Sequence, residues 1–169
     1  VAASSGAVQL DTVGNDFGTI FASANGNVSI LDANALTIGG IAAAGPATIS
    51  SGGALSQSGA ITASSLSFAS IGGANLNAAN NVPVLNITNS GGGTVFYNGI
   101  AASLDVNGGT SGGALQVVNS GPVNVSSSLA TALAWVSTGT CPAAASVQAS
   151  SDRSRPGPAM RAHAENGWQ

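Results

Sequence analysis

The chain has 169 residues, the size of one domain, but only 5% are charged, 24 are glycine and none is lysine. Its three arginines (Arg153, Arg155, Arg161) and its one histidine (His163) fall in the last 17 residues, so the body has no cation to hold nucleic-acid or substrate phosphates. The hydrophobic share is 44%, opposite to the low-hydrophobicity, high-charge balance of disordered chains.

Taken in chain order, Val8-Gln9-Leu10 and Phe17 form a first, irregular coil. From residue 28 an apolar-polar-apolar triplet recurs. It reads Val28-Ser29-Ile30, Ala47-Thr48-Ile49, Leu66-Ser67-Phe68, Leu85-Asn86-Ile87, Leu104-Asp105-Val106 and Val123-Asn124-Val125, in steps of 19 residues. A second series reads Leu36-Thr37-Ile38, Leu55-Ser56, Asn75-Leu76, Val95-Phe96-Tyr97 and Leu115-Gln116-Val117, spaced 19 to 21. A weaker third series runs through Ala42, Ile61 and Ile100.

In a strand the outer residues of a triplet share one face and the middle residue takes the other. Strands this short do not stand as isolated hairpins. Stacked at a fixed period, each pairs with its equivalents above and below and buries one continuous column. The pattern predicts an all-β parallel β-helix (a β-solenoid) of about six to seven coils at ~4.8 Å rise. Gly-Gly and Asn-Gly pairs between triplets supply the corners, where positive φ costs little. The β-helix is expected over residues 1–126. A cap or last strand over 127–138 would use Leu129, Leu133 and Trp135 to cover the open end. A disordered tail is expected over 139–169. The start at Val1-Ala2-Ala3-Ser4 reads as a piece of a longer protein.

Three stretches resemble the repeats of filamentous haemagglutinin-like exoproteins of Gram-negative bacteria. They run from Val8 through Asn15-Asp16-Phe17 to Gly18, from Gly26-Asn27-Val28 through Leu36-Thr37-Ile38 to Gly39, and from Gly52-Gly53 through Gln57-Ser58-Gly59 to Thr62. The resemblance covers roughly residues 6–126. It implies a right-handed β-helix, secretion to the cell surface through an outer-membrane two-partner secretion transporter, and a place in the shaft of an adhesin. It also implies a host or neighbour-cell surface glycan or protein as the eventual partner.

The residues offer few sites. Before residue 152 the carboxylates are Asp11, Asp16, Asp32 and Asp105, with no Glu, Lys, Arg or His. Neither the paired carboxylates of glycoside hydrolysis nor an acid–base set with a basic partner can be assembled. No enzyme, no cofactor and no metal site is therefore expected. Calcium needs six to eight oxygens, and Asp32 and Asp105 fall at different phases of the repeat. Asp16 reads as an Asn-Asp turn bonded to its own backbone. The sole Cys141 allows no internal disulfide, and with His163 it makes no expected pair. No apolar run reaches the ~18 residues of a membrane-spanning helix.

The outward columns, Ser29, Thr48, Ser67, Asn86, Asp105, Asn124 and Thr37, Ser56, Asn75, Phe96, Gln116, are polar but mixed. They fit a solvated face better than the uniform ladder that ice binding would want. Phe96 and Tyr97 are adjacent, so one must face outward. Asn27, Asn86 and Asn124 are Asn-x-Ser/Thr sequons, read as chance products of the composition. The expected function is a structural shaft. The alternative is a standalone solenoid module that binds glycans or, further off, ice.

Overall fold

The computed structural model describes residues 1–3, 6–131 and 134–138. The expected tail, with Cys141 and His163, lies outside the described residues. In chain order the first strands are β1 (Ala2–Ala3), β2 (Val8–Leu10), β3 (Thr19–Ala24), β4 (Val28–Asp32), β5 (Leu36–Ala43), β6 (Ala47–Ser51), β7 (Leu55–Gln57), β8 (Ile61–Thr62) and β9 (Leu66–Ser70). The rest are β10 (Ala74–Asn80), β11 (Val84–Asn89), β12 (Val95–Gly99), β13 (Leu104–Ser111), β14 (Leu115–Asn119), β15 (Val123–Val125), β16 (Leu129–Thr131) and β17 (Ala134–Thr138). There is no helix among the described residues.

The chain alternates between two parallel sheets. Sheet one runs β1-β3-β5-β7-β10-β12-β14-β17, with β8 also on β5. Sheet two runs β15-β13-β11-β9-β6-β4-β2, with β16 also on β13. Each coil gives one stretch to each sheet and stacks on the coil before it. The result is a β-solenoid of about seven turns with a period near 19 residues.

The core lies between the sheets and follows from the alternation. In β4, Val28, Ile30 and Asp32 are buried while Ser29 and Leu31 are half-buried on the outer side. The column Val28, Ala47, Leu66, Leu85 is at most 1% exposed throughout. Facing it, Leu36, Leu55, Ala74, Val95 and Leu115 line sheet one. Burial of such apolar surface, at roughly 25 cal/mol per Å², holds the coils together.

Four of the five expected triplet steps hold. Val28 faces Ala47, Ala47 faces Leu66, Leu66 faces Leu85, and Leu104 faces Val123. The step from Leu85 to Leu104 does not form. Leu85 stands opposite Val106 and Val84 opposite Asp105. By Ile87, which faces Gly109, one more residue has been taken up. The extra residue is accommodated at Gly108, whose φ of +81° suits glycine. A slip of two residues preserves the inside-outside alternation, and Leu104 and Val106 stay buried.

Two other expectations are corrected. In the third series the inward residue is Ile41, opposite Ile61, whereas Ala42 is exposed. Ile100 faces solvent at 50% exposure, because the alternation that buries Val95 and Tyr97 continues through Gly99 and Ala101. In the second series the inward residue that opens β10 is Ala74, which sits between Leu55 and Val95. Corner glycines also serve a second purpose. A Cβ on Gly91 would run into the carbonyl oxygen of Ile71 in the coil below, so the coils could not close to strand spacing there. Pairing continues past residue 126, with Leu115 opposite Ala134 and Asn119 opposite Thr138. Leu129 packs half-buried against the core, the backbone of Trp135 pairs with Gln116, and Leu133 lies outside the described residues.

Candidate functional site

Every coil repeats the same two outer surfaces, so a site would be a ladder rather than a cleft. On sheet one the outward column is continuous: Thr37, Ser56, Asn75, Phe96 and Gln116 stand in register. Thr37 Oγ1 and Ser56 Oγ lie 2.9 Å apart and share a hydrogen bond. On sheet two the column breaks. Ser29, Thr48, Ser67 and Asn86 align, and Asn86 Nδ2 donates to Ser67 Oγ at 3.2 Å. The slip then places Asp105 opposite Val84, and Asp105 aligns only with Asn124, whose Nδ2 donates to it at 3.3 Å.

The two adjacent aromatics divide as strand alternation requires. Tyr97 is fully buried between Leu76 and Val117 in register, and Phe96 is half-buried on the outer face. Burial pushes the Tyr97 phenol above its ordinary value. A second outward aromatic is Phe21, 62% exposed, whose ring occupies the space where a Cβ on Gly39 would lie. With Val1, Ala42, Ala60 and Thr62 it borders an open basin of about 410 Å³.

The carboxylates do not converge. Among the described residues no three of His, Cys, Asp and Glu lie close enough to hold a metal ion. Asp16 is exposed, and it is the neighbouring Asn15 that bridges, its Nδ2 donating to the carbonyls of Leu10 and Leu31. Asp11 accepts a hydrogen bond from Ser29 at 3.4 Å. Asp32 is buried at 1% exposure and accepts the amides of Phe17 at 2.6 Å and Asn34 at 3.1 Å. Of the sequon asparagines, Asn27 and Asn124 are exposed and Asn86 is half-buried.

Asp32 belongs to a feature that the triplet reading passed over. It opens a buried polar column, Asp32, Ser51, Ser70, Asn89 and Ser111, at the last inward position of successive sheet-two strands. Asp32, Ser51 and Asn89 take corner amides and carbonyls that the turn removes from the ladder, and Ser70 and Ser111 bond to the Asn89 side chain between them. Ser51 donates to Asn34 O at 2.6 Å. Asn89 accepts the Gly73 amide at 3.1 Å and donates to Gly93 O at 2.7 Å and Gly91 O at 3.0 Å. The signal was present, since 32, 51, 70 and 89 also step by 19. On sheet one, buried Asn80 performs the same work where β7 and β8 part. It accepts the Ile61 amide at 2.9 Å and donates to Asn98 O at 2.9 Å. Gln57 clasps it from the side.

Repeated coils, an apolar interior and polar corner locks define a parallel β-solenoid repeat protein. Residues 25–98 match a family described as repeats of unknown function (DUF5649), which spans less than half of the chain. No curated protein and no solved structure matches the chain. No helix among the described residues is long and apolar enough to cross a membrane.

Proposed function

We propose that this chain is a structural shaft segment of a secreted, cell-surface bacterial exoprotein of the filamentous haemagglutinin-like kind. The carrying observation is the unbroken stacking from Val8 to Val117. Each coil repeats the inward column and the corner locks of its neighbour, which gives a stiff rod of about 30 Å at strand spacing. The motifs around Asn15-Asp16-Phe17 and Asn27-Val28 supply the family reading. In this reading an outer-membrane two-partner secretion transporter exports the protein, and the shaft holds a distal contact away from the cell. The segment has no catalytic part in it.

The test is the full-length gene in its own bacterium. Antibody to this segment should label intact cells, and deleting the partner transporter should remove the label. Label confined to lysed cells would overturn the reading.

A second reading is favoured by the outward aromatics. Phe96 stands in register between Asn75 and Gln116, and Phe21 borders the basin with Ser23 and Thr62, a surface without acidic side chains that suits neutral glycans. A glycan array and an ice-recrystallisation assay on residues 1–138 separate the two readings. A specific glycan bound by this segment alone would replace the passive shaft with a binding module.

A further inference from the structure

Two buried polar atoms in the described interior lack a hydrogen-bond partner, Tyr97 Oη and Asn119 Oδ1. Both side chains are at 0% exposure. Buried hydroxyls and amide oxygens almost always find a partner, whether protein or ordered water, because leaving one unmade forfeits its hydration. The two atoms are also complementary: a phenol can donate, and an amide oxygen accepts.

Both side chains flank Gly99. Gly99 pairs with Asn119 in the next coil, and Tyr97 lies two residues earlier on the same inward face. A Cβ on Gly99 would lie 2.6 Å from Asn119 Oδ1 and 3.0 Å from Tyr97 Cε1. The coil below carries Asn80 at this level, opposite Gly99. The missing side chain at Gly99 is therefore what makes room for the Asn119 amide oxygen and the edge of the Tyr97 ring in this part of the interior. The other half of the Asn119 amide is already fixed, since Nδ2 donates to Ala101 O at 2.9 Å and Gly121 O at 3.1 Å. Oδ1 is thereby held toward the interior and cannot turn to another donor without breaking two bonds.

We propose that a single internal water molecule occupies the solenoid at this level, accepting from the Tyr97 hydroxyl and donating to Asn119 Oδ1. Two polar partners are enough to hold an internal water, and a polar site is where one resides. The site links β12 to β14 by a bridge that the backbone ladder does not supply.

A high-resolution crystal structure of the full chain tests this. It should show one ordered water within about 2.7–3.0 Å of both atoms. Direct contact between Tyr97 Oη and Asn119 Oδ1, or no density between them, would overturn the proposal. Tyr97→Phe gives an independent reading. Removing a satisfied hydroxyl should lower the unfolding midpoint by about 2–4 °C. An unchanged or raised midpoint would mean that the hydroxyl had no partner. Should that variant fail to fold, the wild-type crystal structure still decides.

Discussion

Leu85 stands opposite Val106, two residues beyond the Leu104 that lies one period along the chain. Both are fully buried, so the slip changes register without changing sides. Phase rather than spacing is what each coil preserves, and phase can be tested at neighbouring positions. Leu85→Asp puts an unpaired charge into the column and should cost at least about 4 kcal/mol, with loss of cooperative unfolding. Asn86→Asp, on the half-buried outer side, should cost within about 1 kcal/mol. Thermal unfolding followed by circular dichroism checks both. Equal effects would refute the assigned phase.

The corner locks make a second prediction. Asn89→Ala would strand the Gly73 amide and the carbonyls of Gly91 and Gly93, and should cost about 2–4 kcal/mol. Asn89→Ser should recover part of this, because Ser51, Ser70 and Ser111 hold equivalent places. Denaturant titration of the two variants should rank them in that order.

The adjacent glycines 91 and 92 differ sharply. A Cβ on Gly91 meets the Ile71 carbonyl, whereas Gly92 has nothing within 4 Å. Gly91→Ala should destabilise by about 1–3 kcal/mol and Gly92→Ala should be nearly silent. Unfolding midpoints of the pair measured side by side give the answer.

Tyr97 is the chain's one tyrosine, so its titration can be followed directly. Burial raises its pKa in the fold above the ordinary value of about 10. The unfolded chain therefore loses the phenolic proton first as pH rises. The contribution to stability is fully present below about pH 10 and is lost as pH climbs from there toward the folded-state pKa. The midpoint should fall above about pH 10 in the wild type, and this fall should shrink in Tyr97→Phe. Tyrosinate absorbance should appear only with unfolding.

Much of this architecture was legible in the sequence, because inward positions need apolar side chains and six triplets expose the period. The polar column at Asp32, Ser51, Ser70 and Asn89 was equally periodic. It is hard to read in the sequence because buried Ser and Asn in a corner look like loop residues until their backbone partners are placed. The slip after Leu85 was hidden for a different reason. Leu104-Asp105-Val106 keeps the triplet pattern at the expected spacing, and only pairing distinguishes a 19-residue step from a longer one. Ala42 turns outward because the extra residue taken up at Gly39 moves the inward phase of β5 from Ile38 to Ile41, and Ile100 because plain alternation from Val95 carries the inward face through Tyr97, Gly99 and Ala101. The outward ladders were legible as columns, but not the break at Asp105 that leaves sheet one as the only continuous face among those ladders.

If the chain is a stack of interchangeable coils, one coil can be removed and the fold kept. Deleting residues 47–65 takes out 19 residues and brings Leu66 into the place of Ala47, so that β9 can stack on β4 and β10 on β5. This variant should keep its β-sheet circular dichroism and unfold cooperatively at a somewhat lower midpoint. Deleting only residues 47–55 breaks the phase and should abolish folding. If the whole-coil deletion unfolds as completely as the half-coil deletion, the coils are not interchangeable units and the shaft account is wrong.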